Sequence, residues 1–103
     1  MKKYMIIFSK MAEEDTDNIF SYIENISSTL AAKKVVGKIV KRAMKLNYMP
    51  KRVEPFGKNL NGDFLYSTIS GSYRIIYLID ENNSEVEILR ILHKNQNRES
   101  ELD

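Results

Sequence analysis

Four side chains in the second half of the chain are of the types that metal-free phosphodiester cleavage by a 2′-hydroxyl requires. Glu54 is a carboxylate able to take the hydroxyl proton. Arg74 is a permanent cation with five donors, suited to gripping a phosphate. Lys58 offers a second positive charge for the phosphorane, and His93, the one histidine, an acid for the leaving oxygen. Each also has a plainer reading. Arg74 would pair with Glu87 or Asp80 across strands, His93 would end a strand, and Glu54 and Lys58 would be solvated loop residues. Tyr66, Tyr73 and Tyr77 suit cross-strand packing better than base stacking.

The elements that must position these groups follow from periodicity. "SYRIIYLID" (72–80) reads as a strand, aromatic and β-branched, with Arg74 near its start. Phe64 to Ile69 precedes it across a tight Ser70-Gly71 turn, and Val86 to Leu92 follows the polar turn 81–84. If Asp80 pairs with Glu85, Arg74 falls opposite Ile91 and shares its face with His93; a slip of one residue brings Arg90 to that face instead. Lys3 to Phe8 is a first strand, apolar on both parities and therefore expected to be central or covered. Ser9 caps a helix carrying Ala12, Ile19, Ile23 and Ile26 on one stripe. Ser28 or Thr29 caps a second, with Ala32, Val36, Ile39, Ala43 and Leu46 at helical spacing. Between helices and meander lies "NYMPKRVEPFGKNLNGD" (47–63), a long loop with both prolines. It is expected to reach the end of the sheet where Arg74 stands. The order β-α-α-β-β-β makes a two-layer α+β domain, an antiparallel sheet with an αα-hairpin on one face.

The chain of 103 residues is long enough for one domain, 1–103, with 43% apolar residues to build a core. Residues 93–103, "HKNQNRESELD", form a polar tail, either a short helix or frayed. No apolar run is long enough for a membrane span or a secretory signal, so the expectation is a cytoplasmic protein. With no cysteine and one histidine, no metal site or other cofactor is expected. Net charge is +2, unevenly spread: nine basic residues and one acid lie between Lys33 and Lys58. That segment is either a solvated helix face or a surface for nucleic acid or an acidic partner.

The string "GSYRIIYLID", the strand ending in "ILHKNQN" and the start "YMIIFSKMAEEDTDNIFSYI" together resemble the RelE/ParE superfamily of type II toxin–antitoxin toxins, often called plasmid stabilisation proteins. The resemblance covers nearly the whole chain. It implies a growth-inhibiting toxin with a cognate antitoxin as partner. One branch of the superfamily cleaves mRNA on the ribosome; another poisons DNA gyrase by contact. "EPFGKNLNG" (54–62) is similar to the loop of YoeB-like ribonucleases. On that likeness Glu54 is the base, Arg74 the phosphate clamp and His93 the acid. Lys58, Lys51, Arg52 and Arg90 are then substrate-binding cations. The expectation is a ribosome-dependent mRNA endoribonuclease; the alternatives are a ParE-like gyrase inhibitor and a degenerate module that only binds antitoxin. The strand "FLYSTISG" carries no basic residue, and Lys94 rather than tyrosine follows His93, both departures from the ribonuclease pattern.

Overall fold

Two serines set where the helices begin. In the computed structural model, which describes residues 2–95, Ser9 Oγ accepts from Ala12 N and Ser28 Oγ from Ala31 N. These bonds satisfy donors that the first turn leaves without partners. Helix α1 spans Lys10–Ile26 and α2 spans Thr29–Met44, followed by a 3-10 turn at Lys45–Asn47. Ala12 and Ile19 of α1 and Ala32, Ile39 and Ala43 of α2 are buried, as the apolar spacing anticipates, whereas Ile26 is exposed.

The strands are β1 (Met5–Phe8), β2 (Gly57–Lys58), β3 (Phe64–Ser70), β4 (Tyr73–Asp80) and β5 (Glu85–His93), in spatial order β1-β5-β4-β3-β2. All neighbours are antiparallel except β1 and β5, which are parallel. Gly71, at φ 59°, takes a left-handed conformation that a side chain would resist, which closes the β3–β4 hairpin in two residues. The short β2 lies inside the segment read as loop. Two residues are too few for any periodicity to reveal.

The helices cover one face of the sheet. Tyr66, Ile75, Tyr77, Val86, Ile88 and Ile91 project from it into the core formed with Ala12, Ile19, Ile39, Ala43 and Leu46. Strand β1 is an edge strand and its far face is not covered: Met5 is 64% and Ile7 36% exposed. This corrects the expectation of a central or covered strand, because the apolar residues of β1 that miss the core have no second layer above them.

One irregularity decides which side chains share a face. Asp80 pairs with Glu85, the first of the two registers considered, and Tyr77 with Ile88, but Ile76 pairs with Arg90. Leu89 is therefore an extra residue, a β-bulge, and beyond it the register is shifted by one. Arg74 lies opposite Leu92 rather than Ile91, and His93 opposite Tyr73. The bulge takes His93 off the face of Arg74 and brings Arg90 onto it.

Candidate functional site

Arg74 projects from β4 onto the face away from the helices, between Ile69 of β3 and Leu92 of β5. Its Nη1 donates to Ser67 Oγ at 3.0 Å, and the residue is half-buried. Leu65, Ile76 and Leu92 are buried on the same face. The aliphatic stem of Arg74 thus lies on an apolar surface, as long cationic side chains commonly do.

His93 issues from the opposite face. Its ring meets Tyr73 edge-on at 5.7 Å, its Nδ1 accepts from Asn95 N at 3.3 Å, and it lines a cavity with Tyr22, Val35 and Lys38 of the helices. The sheet itself separates it from Arg74.

The loop 47–63 does not feed the end of the sheet where Arg74 stands, as the sequence had suggested. It enters β3 at Phe64, whereas Arg74 pairs with Ile69 near the other end of that strand. The reason is the tight hairpin, which returns β4 beside the last residues of β3 and not the first. Part of the loop runs back along the β3 edge, however. Phe56 N donates to Leu65 O, and Val53 lines a cavity with Thr68. Glu54, between these points, is solvent-exposed.

The four remaining cations are dispersed. Lys58 Nζ sits 4.8 Å from the centroid of the Phe64 ring on the exposed β2 edge, a cation–π geometry. Lys51 pairs with Glu81 in the β4–β5 turn. Arg52 meets Arg42 and Lys45 around a small cavity between α2 and the loop. Arg90 is held by Asp15: Nε to Oδ2 at 2.8 Å and Nη2 to Oδ1 at 3.0 Å.

That last pair completes an edge. Strand β1 stops at Phe8, opposite Ile88, and among the described residues the rest of β5 has no strand partner on that side. Ser9 Oγ donates to Leu89 O and Asp15 Oδ2 accepts from Ile91 N, so two side chains of the α1 N-terminus continue where β1 ends. Asp15 reads in the sequence as one acid of the Glu13-Glu14-Asp15 cluster near the helix N-terminus. Its partner lies 75 residues away, and no local pattern signals it. Beside this edge, Lys10, Met11, Asn59, Leu65, Leu89 and Arg90 line a cavity of about 320 Å³.

Glu81 is a second hub that sequence reading missed. It accepts from Lys51 and Lys2 and from Tyr4 Oη, which ties the N-terminus and the loop to one turn. The Lys51 hydrogen bond, followed by those of Tyr4 and Lys2, holds its carboxyl down to about 2. A depressed carboxylate stabilises the fold above its unfolded pKa of about 4.3, and that contribution is lost as pH falls toward about 2. Glu81→Gln is therefore expected to lower the melting temperature near neutral pH and to flatten its fall between pH 4.5 and 2, as a thermal melt series would read. An unchanged acid limb would show that the hub contributes nothing. Tyr77 anchors the same loop from within, its Oη donating to Pro50 O at 2.8 Å. Burial pushes that phenol up to about 12, so it remains a neutral donor.

The sequence matches the family described as "ParE toxin of type II toxin-antitoxin system, parDE" over residues 6–98. The chain belongs to this ParE toxin family. It is a toxin of the RelE/ParE superfamily of type II toxin–antitoxin systems. Solved structures share the fold of the toxin. The chromosomal ParDE system of P. aeruginosa superposes with a TM-score of 0.71 at 18% identity, covering 88% of this chain and 96% of that one. The toxin–antitoxin complex RelBE2 of Mycobacterium tuberculosis gives 0.67 at 25% identity, covering 93% and 97%. The archaeal RelE–RelB complex of Pyrococcus horikoshii gives 0.64 at 18% identity, covering 92% and 99%. No curated protein matches the toxin by sequence. Among the described residues, no helix is long and apolar enough to cross a membrane.

Proposed function

We propose that this toxin arrests growth by protein contact, as a ParE-like inhibitor of DNA gyrase, and that a cognate antitoxin neutralises it. The observation that carries this reading is the separation of Arg74 and His93 by the sheet. Cleavage by a 2′-hydroxyl needs its phosphate clamp and its proton donor at one phosphate, and groups on opposite faces of a sheet do not meet there. Arg90, a second cation on the Arg74 face, is engaged by Asp15. The match to the ParE family supports the same choice. Solved relatives that are toxin–antitoxin complexes support an antitoxin partner.

A second reading, the ribosome-dependent ribonuclease, is favoured by one observation. Glu54 is exposed two residues before Phe56, whose N donates to Leu65 O of the strand whose Ser67 holds Arg74. In that reading Glu54 is the base, Arg74 the clamp, and Lys58, Lys51 and Arg52 substrate contacts around it.

Two assays on the purified toxin decide between them: supercoiling by DNA gyrase, and primer extension on mRNA from a translation reaction. The expected result is inhibited supercoiling with intact mRNA, unchanged by Glu54→Gln and His93→Gln. Cleaved mRNA, with a loss of about 10²- to 10⁴-fold on Glu54→Gln, would transfer the assignment to the ribonuclease. Co-expression of the neighbouring antitoxin is expected to restore growth in either case.

A further inference from the structure

Helix α2 is unusual in its charge. No acidic residue occurs between Glu24 and Glu54, and the helix carries Lys33, Lys34, Lys38, Lys41 and Arg42. Lys34, Lys38 and Lys41, with Lys45 just beyond, recur at intervals of four, three and four residues. At 100° per residue they fall on one stripe, turned away from buried Ala32, Ile39 and Ala43. All four are exposed. None enters the ion pairs formed among the described residues, which involve Lys2, Lys51 and Arg90.

Like charges three and four residues apart destabilise a helix, and a glutamate at any of these positions would reverse the sign. The arrangement gains from the negative end of the helix dipole at Lys41, Arg42 and Lys45, but gives the isolated fold nothing in return at Lys34 and Lys38. It does suit a partner that brings a regular row of negative charge. The stripe rises about 17 Å along the helix, with steps of roughly 5–6 Å. At its C-terminal end Lys45 joins Arg42 and Arg52 around a cavity of about 40 Å³, so cations from the helix and the loop converge there. The stripe has lysines rather than aromatic platforms, and lysine contacts phosphates without reading or stacking bases. Four flexible ammonium groups in line fit the backbone of a duplex better than splayed single-stranded bases.

We infer that the α2 stripe of Lys34, Lys38, Lys41 and Lys45, extended by Arg42 and Arg52, binds the phosphate backbone of duplex DNA without sequence preference. The inference rests on the gyrase reading, since gyrase holds a DNA duplex. The stripe would seat the toxin on the enzyme's DNA while another surface contacts the protein.

The test is fluorescence anisotropy of a labelled 20-base-pair duplex with the purified toxin over a salt series. Four to six phosphate contacts give a slope of log K against log salt of about −4 to −5. Replacing the four lysines with glutamine removes the like-charge pairs and keeps helix propensity, so folding is expected to survive, as circular dichroism would verify. The variant should bind at least tenfold more weakly, with a slope nearer zero. Wild-type protein that fails to bind the duplex at 50 mM salt, or a variant that binds as well as wild type, would overturn the inference. So would tighter binding to single-stranded RNA of equal length. Loss of antitoxin neutralisation with DNA binding intact would assign the stripe to a protein partner instead. Gyrase inhibition without DNA binding would sink this inference alone, whereas DNA binding without gyrase inhibition would sink the gyrase reading alone.

Discussion

Replacing Asp15 with alanine is expected to lower the melting temperature by about 15 °C. The carboxylate and the Arg90 guanidinium are each only 12% exposed and share two short hydrogen bonds. Removing one partner of such a pair leaves the other charge uncompensated, at about 3 kcal/mol or more. In a domain of this size each kcal/mol moves the midpoint by about 5 °C. The same substitution also strips Ile91 N of its acceptor, on a stretch of β5 that has no strand beside it there. The double variant Asp15→Ala with Arg90→Met removes the stranded charge and is expected to recover much of the loss. A single variant that melts within about 2 °C of wild type would show that the pair does not hold this edge.

The second large effect is expected at Ile39, whose side chain is fully buried between α2 and the sheet. Truncation to alanine removes methyl and methylene groups from a packed site and leaves a cavity, at about 2–5 kcal/mol. Truncation to valine should cost about 0.5–1.5 kcal/mol. Urea unfolding followed by circular dichroism reads both. The alanine variant should also lose growth arrest, through instability and not through its target surface, since no atom of Ile39 reaches solvent. An alanine variant within 1 kcal/mol of wild type would mean that α2 is not docked on the sheet as described.

Much of the fold is legible in the sequence because it rests on local, periodic causes. Ser9, and Ser28 or Thr29, read as helix caps by residue type and position, and the structure uses Ser9 and Ser28. In the stripe of Ala32, Val36, Ile39, Ala43 and Leu46, Val36 is half-buried against the core and the other four are buried, as the spacing implies. The limits of β4 follow from an aromatic and aliphatic run, broken only by Arg74, between Gly71 and an acidic turn. Family membership is legible for a related reason. "YRIIY" after a glycine and the strand ending in "ILH" are contiguous strings, and contiguous strings survive without knowledge of contacts.

Tertiary structure alone decided which of the polar residues meet. The sequence left two registers open for the last hairpin, and the bulge at Leu89 is not legible in it, because one inserted residue leaves the apolar content of β5 unaltered while reversing the faces beyond it. That reversal parts His93 from Arg74. The Asp15–Arg90 pair and the bonds of Glu81 to Lys2 and Tyr4 join residues more than 70 positions apart, where neither periodicity nor propensity carries information. The position of Glu54 depends on a two-residue strand and a doubled-back loop, whose course is set by Tyr77 holding Pro50 and Lys51 holding Glu81. Elements are determined by neighbours in the chain, and a site by neighbours in space; for this toxin the first were written in the sequence and the second were settled by a single bulge and a tight turn.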